Sequence, residues 1–411
     1  MTRILHTGDT HLGYRQYHRQ VRREDFLTAF DRVVTDAVDD GVDAVVHAGD
    51  LFHDRQPALE DIMGAMRVLQ RLADADVPFL AIVGNHEAKR DRQWLDLFES
   101  MGLATRLGSD PVTVGDVDLY GLDFVPRSQR DDLGYAFEPG DAEYAALVSH
   151  GLFAPFEHGD WDARELLAES PVAFDIVLLG DDHDPKTKQV EEPDETWLTY
   201  CGSTERTSAA EREERGYNLV VLEDGRGVDI RRRGLPTREF VFVSVDLGEG
   251  EGTDRIRERI DQYDVEDAVV VVEITGDGGE VLPANVEAFA ADRGALVTRV
   301  TDRRDRPEES EIDVSFADPD DAVAERIGEM GLSSAARDID ETIRASTVAD
   351  SNVADTVERR VQSLLEEGTD AFEPADGSAD VEDGDTHGGA DDSSSAENKA
   401  AEDQVTMEDY L

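Results

Sequence analysis

The sequence predicts an α/β fold, a layered sandwich followed by a small α+β unit, and three features predict it. Short apolar runs alternate with longer amphipathic stretches through the first 235 residues, as in linked βα units. A shorter alternation of the same kind follows Pro236. Beyond Asp318 the strand pattern stops, leaving helical periodicity and then a polar acidic tail.

Taken in order, residues 4–7, 44–47 and 79–83 read as strands separated by amphipathic helices over 23–39 and 59–73, a βαβαβ start. Residues 112–124 form a hairpin pattern around Gly115 and Asp116, and strands resume at 146–149, 176–179, 197–201 and 217–222. The second unit, 236–316, shows strands at 240–246, 268–274 and 295–300 with helices near 255–262 and 286–292 between them. Residues 317–368 are helical in pattern, with Ile327, Met330, Leu332, Ile339, Ile343, Val357, Val361 and Leu364 forming apolar stripes too extensive for so short a segment to bury alone. Those stripes imply either a docked partner or a helical appendage folded back onto the first domain. Residues 369–403 nearly lack large apolar side chains and are expected to be disordered, because burial cannot offset their ordering entropy.

Against 40 Lys and Arg stand 95 Asp and Glu, a formal net charge of -55. The block 371–403, with eleven acidic residues and one lysine, accounts for only a small part of it. Acidic residues spread over folded domains suit a cytoplasm at molar salt, where the Debye length shrinks to roughly 3 Å. The excess therefore points to an extreme halophile and does not exclude nucleic acid as a partner. Counterion release contributes little at such salt, so substrate affinity is expected to rest on metal coordination and hydrogen bonds. Cys201 is the single cysteine, which excludes an intramolecular disulfide and any cysteine-built zinc site. No signal-peptide pattern and no apolar run of about 18 residues occurs, so a cytoplasmic protein is expected.

The residues with chemistry follow the strands. Asp9 and His11 come after the first in Gly8-Asp9-Thr10-His11, and Asp50 and His53 after the second in Gly49-Asp50-Leu51-Phe52-His53. Asn85 and His86 follow the third, His150 a fourth, and Asp181 and His183 a fifth in Gly180-Asp181-Asp182-His183. Carboxylates, an amide oxygen and imidazoles are ligands for hard or borderline divalent cations, and glycines beside them let the backbone approach an ion. A lone His or Asp at a strand end is usually a cap. Five such pieces in succession point to a metal centre.

In these motifs residues 1–233 resemble the calcineurin-like metallophosphoesterase superfamily, whose signature runs Asp-x-His, Gly-Asp, Gly-Asn-His, His, Gly-His-x-His. The resemblance implies a four-layer β-sandwich flanked by helices, with Asp9, His11, Asp50 and His183 on one ion and Asp50, Asn85, His150 and Asp181 on the other. Asp181 departs from the signature, which has histidine there. An aspartate favours manganese or magnesium over zinc as a direct ligand, or else accepts a hydrogen bond from outside the coordination sphere. Ions roughly 3.5 to 4 Å apart would activate water on a phosphodiester. His86 is placed as in the superfamily to donate to the leaving oxygen.

Gly8-Asp9-Thr10-His11-Leu12-Gly13-Tyr14, the Asp50 segment and Tyr200-Cys201-Gly202-Ser203-Thr204-Glu205-Arg206 are most similar to the archaeal double-strand-break repair nucleases of the meiotic recombination eleven family, related to bacterial SbcD. Cys201 replaces that family's proline, and His53 matches a histidine used at its nuclease site. The resemblance implies a DNA nuclease with two manganese ions, or magnesium, acting at DNA ends as a 3'-5' exonuclease and a single-strand endonuclease. It also implies a DNA-contacting cap over 236–316, an SMC-like ABC ATPase partner held by 317–368, and a homodimer within a heterotetramer, while the sequence leaves open whether the helices near 59–73 and 95–100 make the dimer contact. The last eight residues, 404–411, resemble a sliding-clamp-binding peptide through Gln404, Met407, Tyr410 and Leu411. The rival readings are a nucleotide phosphodiesterase of the same superfamily and a weakly catalytic repair scaffold.

Overall fold

The computed structural model describes residues 1–304 except 90, 91, 131, 132, 224 and 226. The expected helices over 317–368, the acidic linker 369–403, the peptide 404–411 and cap residues 305–316 lie outside the described residues.

Two six-stranded sheets build the first domain. One runs in the order Gly227–Gly234, Gly216–Glu223, Thr2–Thr7, Ala44–His47, Phe79–Ala81, Thr105–Arg106, its last four strands parallel and its first two antiparallel. The other runs Lys186–Val190, Thr196–Tyr200, Ile176–Gly180, Tyr144–His150, Val117–Leu122, Val112–Val114, with four parallel central strands and an antiparallel strand at each edge.

Strand alternation explains the layers. Ile4, Val46, Leu80 and Val220 of the first sheet pack with Leu119, Val148 and Leu178 of the second in a shared core. Their neighbours Leu5, Val45 and Phe79 face the other way, onto Phe30, Val33 and Leu69 of helices Gln20–Asp40 and Leu59–Asp74. Leu147, Val177 and Leu198 likewise pack outward against Phe153, Trp161 and Leu166. Helix, sheet, sheet, helix is the four-layer arrangement. Because both faces of the central strands are covered, they read as continuous apolar runs.

Residues 240–302 form a parallel three-stranded sheet, Phe240–Leu247, Val269–Gly276 and Val297–Asp302, with helices Thr253–Ile260 and Pro283–Ala291 packed on it through Ile256, Ile260 and Val286. Arg238 joins this cap to the first domain by a two-pronged pair with Asp25, Nε to Oδ2 at 2.6 Å and Nη2 to Oδ1 at 2.9 Å. The buried guanidinium of Arg22 binds the same carboxylate and lies 5.2 Å from the Phe240 ring centroid.

The structure adds what the pattern did not suggest. Lys186–Val190 and Gly227–Gly234 are edge strands rich in charged, partly exposed residues, and in the second only Val228 and Ile230 mark the face turned to the core. Helix Ala163–Glu169 is too short for helical periodicity to show. Among the described residues no helix is long and apolar enough to cross a membrane.

His6, wholly buried in the central strand Thr2–Thr7, has its pKa pushed down to about 3 by burial. A base whose folded pKa lies below its unfolded value contributes stability above the unfolded value, about 6.5, and loses it as pH falls. Relative to His6→Gln, the native protein is therefore expected to lose about 1.4 kcal/mol per pH unit between about pH 6 and 4. Urea unfolding of both proteins at fixed salt measures this, and parallel pH profiles would refute the assignment.

Candidate metal centre

The carboxyl ends of the parallel strands in both sheets meet at one place, and the loops leaving them carry the titratable groups. Asp9 N donates to the Gly49 carbonyl and His11 N to the Asp50 carbonyl, so the first two loops brace each other. Thr10 ties them further through Oγ1, 3.1 Å from the Leu51 carbonyl and 3.0 Å from His47 Nε2. Glu87, 2% exposed, accepts from the Leu51 and Phe52 amides and so fastens the Asn85–His86 loop to the Asp50 loop. Burial pushes its pKa up to about 8, with the Asp50 charge adding to the rise.

The backbone here is strained. Asp9, His11, Asp50 and Asp181 all have positive φ, 48°, 43°, 57° and 92°, a region side-chain-bearing residues seldom occupy at a cost of order 1–3 kcal/mol each. Gly84 is equally constrained: a Cβ there would stand 2.1 Å from Asp50 Oδ1.

The result is a convergence of ligand atoms. His11 Nε2 and His183 Nε2 face each other at 3.2 Å. His150 Nε2 lies 3.0 Å from Asn85 Oδ1, 3.6 Å from Asp50 Oδ2 and 3.7 Å from Asp181 Oδ1. His183 Nε2 is 4.0 Å from Asp9 Oδ1, and His11 Nε2 is 3.9 Å from Asp50 Oδ2. Asp9, His11 and His183 form one group of donors within 4.8 Å of one another, and Asp9, Asp50 and His150 a second. All seven residues expected to ligate are thus brought together, with Asp9 common to the two groups.

Second partners set the imidazoles. His150 Nδ1 donates to the Ala48 carbonyl at 2.7 Å and His183 Nδ1 to Glu211 Oε1 at 3.0 Å, leaving each Nε2 turned inward. Burial alone would lower both pKa values. The carboxylates around His150 and the Glu211 hydrogen bond with its neighbours at His183 outweigh it and bring both to about 9. Asp9 is raised as well, to about 6, because burial disfavours its charge.

Beside this cluster stand His53 and His86. His86 Nδ1 is 2.9 Å from the His53 carbonyl, and the two rings stack with centroids 5.0 Å apart. Tyr14 covers the other face of His53 at 3.9 Å. Burial and the neighbouring His86 hold His53 down at about 3, in its neutral form.

Among the described residues no lysine or arginine pairs with Asp9, Asp50 or Asp181; their ion-pair partners are histidines. Three carboxylates in a buried site need positive charge. Oxygen-rich, imidazole-containing donor sets suit divalent metals, so the residues present fit a pair of such ions. A cavity of about 530 Å³ elsewhere, walled by Asp118, Tyr120, Phe174 and Trp197, shares no residue with this cluster.

Glu211 and Thr207 carry no motif that points to a site role, whereas Tyr14 ends the motif Gly8-Asp9-Thr10-His11-Leu12-Gly13-Tyr14 and Glu87 directly follows Asn85-His86, neither with a role of its own. Glu87 had a usable signal, an acidic residue directly after the His86 turn. Glu211 had none, since its contact with His183 spans 28 positions of chain.

Comparison with known proteins fits this geometry. The calcineurin-like phosphoesterase family matches residues 2–200. The DNA double-strand break repair protein Mre11 of Haloferax volcanii is 62% identical over 384 residues, covering 93% of this chain and 86% of that protein. Its counterpart in Halobacterium salinarum is 56% identical over 376 residues, 90% of this chain and 96% of that one. The corresponding Methanosarcina acetivorans protein is 46% identical over 89% of this chain and 61% of its own length. With likeness of this extent over nearly the whole of both haloarchaeal proteins, the chain belongs to the Mre11 family of DNA double-strand break repair proteins, built on a calcineurin-like metallophosphoesterase domain.

Proposed function

We propose that the chain is a two-metal DNA nuclease that trims double-stranded ends from 3' to 5' and nicks single strands, using manganese, with magnesium as the alternative. The observation that carries this reading is the set of three carboxylates, two buried and that of Asp181 partly so, whose only ion-pair partners among the described residues are imidazoles. Asp9, His11, Asp50 and His183 hold one ion, and Asp50, Asn85, His150 and Asp181 the other. When bound, the ions supply Lewis acidity toward the phosphodiester and lower the pKa of water.

The chain's own groups supply the rest. Hydrolysis forms a P–O bond to a water oxygen, which releases a proton to solvent, and breaks the bond to the leaving sugar oxygen. His86 Nδ1 is held on the His53 carbonyl, which leaves Nε2 as the ring nitrogen that would donate to that leaving oxygen. His53, fixed between Tyr14 and His86, sets the ring plane of its neighbour.

Nucleic acid as substrate is supported by exposed arginines. Arg15, Arg19 and Arg299 have no acidic partner among the described residues of a chain carrying -55, and Arg299 of the cap lies over the Tyr17 ring at 5.6 Å. Arg299 suits phosphate contact by a cap over 236–316, and Arg15 and Arg19 suit it from the first domain. A homodimer is supported by Leu59 and Met63, 70% and 53% exposed one helical turn apart, and by exposed Leu97 and Met101. The remaining proposals are an SMC-like ABC ATPase on 317–368 and a sliding clamp on Gln404, Met407, Tyr410 and Leu411, in a cytoplasmic complex.

In molar potassium chloride, manganese is expected to support shortening of end-labelled duplex DNA by the native protein, with none by Asp50→Ala or in EDTA. No cleavage even with the ATPase and ATP would reduce the chain to a scaffold. His86→Asn is expected to retain two manganese ions by titration calorimetry while losing about a hundredfold or more in cleavage rate; equal turnover would remove His86 from the chemistry. Asp181→Ala is expected to weaken one of the two ions by at least about tenfold, and two unweakened ions would show that Asp181 is not a ligand.

A further inference from the structure

Glu211 lies on the connection between strands Thr196–Tyr200 and Gly216–Glu223, a stretch with no regular secondary structure. One end of this stretch touches the metal centre. Glu211 Oε1 accepts from His183 Nδ1 at 3.0 Å and from the Thr207 hydroxyl at 2.5 Å. Its Oε2 accepts from the Thr207 amide at 3.1 Å and from the buried Arg215 guanidinium at 3.2 Å. The same Arg215 Nη1 donates to the His183 carbonyl at 2.9 Å, so both the ring and the backbone of His183 are held from this one stretch.

The other end touches the cap. Arg206 Nε donates to the carbonyl of Glu211 itself at 3.1 Å, while Nη1 donates to Thr237 Oγ1 at 3.1 Å. The same guanidinium stands 5.2 Å from the Phe240 centroid, at the start of the cap's first strand. The next residue, Arg212, pairs with Glu273 of the cap's central strand at 3.3 Å and lies 4.7 Å from the Phe242 ring. Two successive residues thus face in two directions, one to a ligand of the metal centre and one to the cap.

We propose that residues 202–215 act as a strut that transmits the cap's position to His183, with Glu211 as the positioning residue for that imidazole. The inference rests on the metal-centre reading above. A carboxylate on Nδ1 fixes the tautomer and the ring plane, and it makes Nε2 a better donor. Because Arg206 grips the backbone of Glu211 and the cap together, a cap displaced from the first domain pulls on the group that aims His183. Linkage makes the effect reciprocal, so ions at the centre also favour the docked cap.

Manganese binding, read as free ion by electron paramagnetic resonance in molar potassium chloride, tests this without any turnover. Glu211→Ala is expected to weaken the ion on His183 by about tenfold to a hundredfold. Glu211→Gln, which keeps an oxygen for Nδ1–H, is expected to recover part of that loss. Arg206→Gln touches no ligand, and is expected to weaken the same ion by about fivefold or more while circular dichroism in EDTA stays native. Native affinity in either Glu211→Ala or Arg206→Gln would overturn the strut. Failure of the unsubstituted protein to bind manganese would instead overturn the metal-centre reading, and the strut with it.

Discussion

Three carboxylates, those of Asp9, Asp50 and Asp181, share a buried site with no lysine or arginine among the described residues to offset them, and much of the architecture answers to that requirement. Burial of like charges is tolerable only where positive charge offsets it, so the protein must fix these side chains through its own backbone and hydrogen bonds. Four residues of the site, Asp9, His11, Asp50 and Asp181, sit at positive φ, and the strain persists because parallel strands on both sides of each loop over-determine it. The shared core between the sheets is thus also a device for keeping two sets of loops in register. The bond from Asp9 N to the Gly49 carbonyl joins two loops of one sheet, and that from Asp181 N to Asp9 Oδ1 at 3.1 Å carries the register to the other sheet.

How much of this was legible in the sequence follows from where each residue stands. The central strands are covered on both faces, so Val45–Val46 and Val177–Leu179 appear as unbroken apolar runs, and the groups with chemistry lie directly after such runs. Edge strands were illegible for the converse reason: in Gly227–Gly234 three arginines follow Ile230, so the alternation is cut to Val228 and Ile230, too short to read as a strand. The same distinction divides the site. Ligands supplied by strand ends are written as local motifs. The groups that orient them, Glu211 on His183 and the Ala48 carbonyl on His150, depend on contacts 28 and 102 positions apart, which no local spacing encodes.

The arginines show how a strongly acidic chain distributes its few cations. Arg22, Arg206, Arg215 and Arg238 are engaged at the junction of the first domain and the cap or just behind His183, each making several donor contacts at once. A guanidinium is suited to this because its donors are fixed in one plane and its charge is weakly hydrated. Arg22 and Arg215 are fully buried, where salt screens their pairs little, unlike the surface pairs that molar salt largely cancels.

That distribution bears on how DNA would be held. With the best-placed guanidinium groups committed to structure, a basic face of the usual kind is not available, and at molar salt it would gain little from counterion release. What remains are contacts that screening does not erode: inner coordination of phosphate oxygens by ions in a buried site, and short donor contacts from a few exposed groups such as Arg15, Arg19 and Arg299. Substrate affinity and catalytic competence then share one determinant, the occupancy of the metal centre. A group that tunes His183, as Glu211 does, would act on both together rather than on the chemical step alone.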